Sequence, residues 1–279
     1  MERKIIRLVT GYRTTDGAGV HLVRVLGNMT VEDYDPILML DSFDSTNPSD
    51  YIAGFPLHPH RGIETISYVY RGQMTHKDSL GNEDTIGDGE VQWMTAGSGI
   101  LHEEKLPASK RLLGVQLWLN LPKKDKMVPP AYKAIKNNEI EEVNLSWGKL
   151  RLLAGQFENH QGYKSKYLPL NYYDIHLNPE AEAVIDTQVD ESVMLFTLLG
   201  DVYVGEKLIK EKTAVKLSAG TFVKIKATNN HTQVLFVSSK ALKEPVAWGG
   251  PIVMNTKEEL YKAFDDLRNG TFLIDKISY

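Results

Sequence analysis

The sequence predicts a mainly β protein: two small barrels or sandwiches, closed by one C-terminal helix. Three observations predict it. Apolar residues recur mostly with period two. Glycine-rich turn signals punctuate these runs at spacings of roughly 8–12 residues. The character of the chain breaks once, around residue 121, and strand patterning resumes near residue 150. The length of 279 residues fits two domains at a typical length of about 150 residues each. Hydrophobic residues at 42% and charged residues at 24% lie in the globular range, which excludes a disordered chain. The absence of cysteine removes disulfide scaffolds, zinc ribbons, iron–sulfur clusters and thiol catalysis together. A net charge of -4 argues against a broad phosphate-binding surface, so no direct nucleic-acid partner is expected.

Taken in order, Met1-Glu2-Arg3-Lys4 runs straight into a strand-like segment, so no secretory leader and a cytoplasmic setting are expected. Ile63 to Tyr70 is rich in β-branched and aromatic residues and stops at Arg71-Gly72. Ser79 to Asp84 and Gly87-Asp88-Gly89 read as turns. Val91 to Met94 is a short strand ended by Ala96-Gly97-Ser98-Gly99, and Leu112 to Leu119 is another. Residues 121–143 are polar and proline-bearing and read as a linker with room for a short helix, in which the lysines at 123, 124 and 126 form a solvated cluster. This divides the chain into 1–120, the linker, and 144–279. Further strands are expected at Leu150–Leu153, Tyr172–Ile175, Val193–Leu199, Asp201–Val204, Val215–Leu217, Phe222–Ile225 and Gln233–Val237, with Gly200, Gly205 and Gly220 between them. The densest apolar run, Val193 to Leu199, is far shorter than the roughly 20 residues that span a bilayer, so no membrane partner is expected. The period then switches to that of a helix: a capping Asn255 or Thr256, acidic Glu258 and Glu259 in the first turn, Leu260, Phe264 and Leu267 on one face, and Asn269-Gly270 to end it.

The chemistry sits on histidines. His58-Pro59-His60 places two imidazoles at i and i+2, which share one face of an extended strand. His102 and Glu104 repeat the spacing. Two strands, each offering two ligands on one face, can converge on a single cation. Two or three imidazoles with a carboxylate suit iron, manganese, cobalt, nickel, copper or zinc, and the set does not choose among them. The competing reading is a surface His-x-His of no function. Pro59 cannot donate to a sheet ladder, which points to an edge strand or a stiffened barrel mouth.

The stretch GFPLHPHRGIET at residues 54–65, then Tyr68, His76-Lys77-Asp78-Ser79, and GEVQWMTAGSGILHEE at residues 89–104, resembles the hallmark segments of the pirin family within the cupin superfamily. VAWGGPIVMNT at residues 246–256 resembles the family's C-terminal signature. The resemblance implies two tandem cupin, jelly-roll-like β-barrels. The first would hold one divalent metal, iron(II) foremost, on His58, His60, His102 and Glu104; the second would be a degenerate partner, and its His160, His176 and His231 show no His-x-His pairing. The general cupin pattern would draw its carboxylate from Glu64 instead; the longer pirin match favours Glu104 and leaves Glu64 beside the metal, orienting a ligand imidazole. Glu103 is expected to point to solvent by alternation, and His76 stands between a cavity wall and a plain surface position. Phe55, Tyr68, Trp93, Met94 and Trp118 are candidates to line a cavity for a flat aromatic molecule, against the alternative of ordinary core packing.

The resemblance also implies quercetin 2,3-dioxygenase activity. The 3-hydroxyl of a flavonol would meet the metal and lose its proton to Glu104 as general base; reaction with O2 would then open the heterocycle and release carbon monoxide. A second implied reading is a metal-binding regulator with a protein partner in transcription or metabolism, and a third is a cupin isomerase or sugar-modifying enzyme that polarises a carbonyl without oxygen.

Overall fold

Alternating burial shows why the strands form where they do. In Ile100–Lys105 the residues Ile100, His102 and Glu104 are buried while Leu101 and Glu103 are half-buried, the signature of a strand with one face turned into a core. The computed structural model describes residues 1–274, and strands of this kind dominate it, with the cupin-type two-domain plan and a C-terminal helix. The pairings that form the core of both barrels are antiparallel. No helix among the described residues is long and apolar enough to cross a membrane.

The chain divides into two compact units that do not follow chain order. The first unit, which contains His58, takes residues 13–28, 37–136 and the described residues from Leu242 on. Its large sheet runs Ala131–Ile135, Glu90–Thr95, Ile63–Arg71, Leu112–Asn120, Ile37–Ser45, Val20–Leu26, Tyr12–Asp16. Its small sheet runs Phe55–His60, Ile100–Lys105, Met74–Asp78, Glu83–Ile86. Val20, Leu22, Phe43, Val69 and Leu112 from the first sheet pack with Phe55, Met74 and Ile86 from the second in one apolar cluster. The barrel is closed by this burial, at roughly 25 cal/mol per Å² of apolar surface.

The second unit repeats the plan. Its seven-stranded sheet runs Ile5–Thr10, Thr213–Leu217, Glu191–Leu199, Thr232–Lys240, Leu170–Leu177, Gly148–Ala154, Glu141–Leu145. Its four-stranded sheet runs Glu182–Asp186, Phe222–Ala227, Val202–Val204, Lys207–Ile209. The strands that match the histidine-bearing pair by position carry Ala183, Ile185, Val223, Ile225 and Ala227, which fill this barrel with aliphatic side chains.

Two expectations are corrected. Residues 121–143 are not a tether: Ala131–Ile135 pairs with Glu90–Thr95 and Glu141–Leu145 with Gly148–Ala154, so backbone pairing absorbs a stretch whose composition reads as loop. Lys126 is not solvated. It is 3% exposed, and its ammonium donates to the Gly62 carbonyl (2.7 Å), the Val253 carbonyl (2.9 Å) and Asn120 Oδ1. The helix forms as its pattern predicts, over Lys257–Arg268. Thr256 and Glu259 make a reciprocal capping box, and Leu260, Ala263, Phe264 and Leu267 pack with Ile252 and Phe272.

Candidate metal centre

Strand register assembles the histidines. Ile100–Lys105 lies between Phe55–His60 and Met74–Asp78; His102 stands opposite His58 on one side and Asp78 on the other, and Glu104 stands opposite His76. The period of two then turns His58, His60, His102, Glu104, His76 and Asp78 to the same side of the small sheet. Phe55–His60 is an edge strand of that sheet, the position in which Pro56 and Pro59 cost no ladder bond.

His58 Nε2 lies 3.0 Å from His60 Nε2 and 3.0 Å from His102 Nε2, and the three rings form the one group of three or more candidate metal ligands among the described residues. With metal–nitrogen bonds of about 2.1 Å, a 3.0 Å separation subtends about 90°, the angle between neighbouring positions of an octahedron. Each ring is fixed from behind. His58 Nδ1 donates to the Pro56 carbonyl (2.8 Å) and His60 Nδ1 to the Pro251 carbonyl (2.9 Å). His102 Nδ1 meets His76 Nδ1 at 3.3 Å, and His76 Nε2 meets Asp78 Oδ2 at 2.8 Å. Such ties select the tautomer that leaves Nε2 for the metal. Burial, with His58 beside it, pushes the His60 imidazole down to about 3, and burial next to His60 pushes His102 down as well, so both rings offer lone pairs at neutral pH.

Glu104 is not part of this group of three. Its carboxylate is 2% exposed and accepts hydrogen bonds from Gln92 Nε2 and from Gln116 Nε2 (3.0 Å), both on the large sheet. Glu103 is half-exposed, as alternation predicts. His76 is fully buried and stacks on Tyr132 at 4.0 Å, so the surface reading of that residue falls.

Glu64 is a correction. Ser67 faces inward, where its hydroxyl accepts from Gln116, a donor to Glu104. Glu64 lies three residues away on the same unbroken register, which puts it on the opposite face of the sheet. There it accepts from Thr95 Oγ1 (2.6 Å), touches no ligand imidazole, and burial raises its carboxyl. Tyr68 and Trp93 share that face and do not line the barrel. Phe55 belongs to the apolar core, and Trp118 packs edge-on against His60 with ring centroids 4.9 Å apart. Met94 is buried on the inward face.

Residues the spacing argument missed are Asp78, Gln92, Gln116, Tyr132, Pro251 and Trp248, whose ring lies 5.8 Å from that of Trp118. The first three follow the same i, i+2 rule on neighbouring strands. The others reach the site by long-range contact: Trp248 and Pro251 lie in the signature-like segment 246–256, which carries no hint of where it packs, and Tyr132 has no local signal.

The Pirin family model matches residues 19–119, and the model of the Pirin C-terminal cupin domain matches residues 172–273. The chain belongs to the pirin family. It is 38% identical to a pirin-like protein of Caulobacter vibrioides, over 97% of this chain and 99% of that one. It is 34% identical to human pirin, over 96% and 93%. Among solved structures, quercetin 2,3-dioxygenase from Acinetobacter baumannii matches with a TM-score of 0.90 at 32% identity, over 98% of this chain and 99% of that one. The Escherichia coli pirin YhhW, solved in complex with nickel(II), shares the fold at a TM-score of 0.66 and 19% identity, over 84% and 98%.

Proposed function

We propose that this pirin is a metal-dependent dioxygenase that opens a flavonol such as quercetin with O2 and releases carbon monoxide. The observation that carries the proposal is His58 Nε2 at octahedral spacing from the Nε2 atoms of both His60 and His102, with each ring tied from behind. Three imidazoles would leave further positions of an octahedral ion for substrate, the arrangement of a catalytic site rather than a closed structural one. The spacing suits iron(II), manganese(II) or nickel(II) better than tetrahedral zinc, and we take iron(II) as the native metal. A dication there supplies Lewis acidity toward the substrate hydroxyl and the oxygen chemistry that side chains lack.

The protein's own residues do the rest. His58, His60 and His102 would hold the metal. Glu104 is the carboxylate of the set and takes the flavonol 3-hydroxyl proton. Gln92 and Gln116 aim its oxygens, and a carboxylate fixed by two amides keeps its lone pairs in place for transfer. Trp118, edge-on to His60, offers a wall for a flat ring system. Glu104→Gln is expected to lower turnover about 10²–10⁴-fold, the usual contribution of a general base, with a far smaller change in substrate affinity. Wild-type turnover at full metal loading would remove Glu104 from the proton transfer.

The test is aerobic quercetin turnover by the chain stripped of metal and reloaded with one metal at a time, with carbon monoxide measured as product. Metal-dependent release that His58→Ala abolishes supports the proposal. No release with any loaded metal overturns it and leaves the regulator reading, for which a protein partner would then be sought.

A further inference from the structure

We propose a second metal site on the other unit, formed by His176 and His231, that takes zinc(II). The two residues are 55 apart in sequence, and His176 Nδ1 lies 3.4 Å from His231 Nε2. With metal–nitrogen bonds of about 2.1 Å, that separation subtends about 108°, the tetrahedral angle. Water would complete the coordination of a bound ion, because His231 is exposed on the loop that leads into Thr232–Lys240.

Both rings are held as metal-binding imidazoles are held. His176 Nε2 meets Asp174 Oδ2 at 2.9 Å, with Asp174 fully buried, and Gln233 Nε2 fixes the other oxygen, Asp174 Oδ1, at 2.8 Å. The result is a carboxylate–histidine pair with its remaining ring nitrogen turned toward the second imidazole. The His231 ring hydrogen-bonds the Leu177 carbonyl. A carboxylate or backbone carbonyl behind each ring is the arrangement that orients ligand histidines and raises their basicity. Asp174 supplies a negative charge behind the pair and offsets Lys149, an opposing cation that stands opposite His176 in the strand ladder and is itself paired with Glu142.

This is not a remnant of the first barrel's site. The strands equivalent to the histidine-bearing pair are Glu182–Asp186 and Phe222–Ala227, and they carry aliphatic core residues. His176 lies instead on Leu170–Leu177, between the core residues Ile175 and Leu177, so alternation turns it out of the barrel.

The experiment uses the untagged full chain, dialysed against zinc chloride at low micromolar free metal, with bound zinc counted by mass spectrometry. His231→Gln alters an exposed loop residue and leaves the strand intact, so the fold is kept. The expected result is a loss of one zinc equivalent on His231→Gln, both in the wild-type chain and in His58→Ala, where the first site is broken. The same comparison reads this site whatever the first barrel binds. Unchanged zinc content on His231→Gln overturns the proposal. In a zinc-soaked crystal, an anomalous peak between His176 Nδ1 and His231 Nε2 supports it, and zinc found on this unit only at other residues overturns it.

Discussion

His102 does not act alone: its Nδ1 rests on His76, and His76 rests on Asp78, all three buried. The chain of contacts makes Asp78 a positioning residue for a candidate metal ligand it never touches. Asp78→Asn keeps the size and removes the charge that fixes the His76 tautomer. Metal affinity is expected to fall about 10–100-fold, the usual effect of losing such a partner, with little change in folded structure. Titration with a metal indicator checks affinity, and circular dichroism checks the fold; unchanged affinity would detach Asp78 from the centre. Lys126 gives a prediction of the opposite kind, because its effect is on folding alone. Burial pushes its ammonium down to about 7, whereas an unfolded lysine titrates near about 10.4. Between those values the unfolded chain binds a proton that the folded chain does not, so stability rises with pH across that window and is flat below it. The slope reaches about 1.4 kcal/mol per pH unit at its steepest. Denaturant titrations at pH 7, 8 and 9 are expected to show this slope in the wild-type chain and its loss in Lys126→Met, whatever the offset in absolute stability.

At the scale of elements, the turn between Phe55–His60 and Ile63–Arg71 ties the first barrel together. Arg61 is buried; its guanidinium donates to the Ser98 carbonyl, to Asp266 Oδ2 and to the Phe272 carbonyl, and it lies over the Phe272 ring. Gly62 follows with φ of +79°, and a Cβ there would sit 2.0 Å from the Val253 carbonyl oxygen. Gly62→Ala therefore meets a backbone clash on top of a left-handed conformation that costs an L-residue about 1–2 kcal/mol. The expected result is a loss of about 2 kcal/mol or more, read from the denaturation midpoint, with weaker metal retention because His60 is two residues away. This turn also shows what was legible in the sequence. Period two located the strands, and the i, i+2 rule placed His58, His60 and His102 on one face, because both depend only on local backbone geometry. Glu64 was misplaced because one step of register separates the inward face, marked by Ser67, from the outward one. The linker reading failed over residues 131–135 because that strand is held by pairing with Glu90–Thr95, which its own composition does not announce. Tyr132, Pro251 and Trp248 stayed hidden for the same reason: their places are fixed by contacts distant in sequence.

At the scale of the whole molecule, each barrel completes its seven-stranded sheet with an edge strand from outside its central run of strands. Ala131–Ile135 serves the first unit, and Ile5–Thr10 serves the second, paired with Thr213–Leu217. The chain's beginning is thus structural material for a unit most of whose residues lie beyond position 137. Arg3 strengthens this closure: it is buried, and its guanidinium donates to the carbonyls of Gln188, Glu191 and Ser218 and to Thr187 Oγ1. Sequence order suggests that trimming the N-terminus should damage the nearer, histidine-bearing barrel; the pairing says otherwise. Deleting residues 1–10 removes the Arg3 bonds and bares the Thr213–Leu217 edge, leaving its ladder groups unpaired. The expected outcome is faster backbone hydrogen exchange across residues 187–191 and 213–222, with no corresponding change across residues 55–60 and 100–105. Metal content is expected to stay at the wild-type level, as it should if the candidate ligands His58, His60 and His102 hold it. Exchange that rises first in the histidine-bearing strands would show that chain order, not strand pairing, decides which barrel the N-terminus supports.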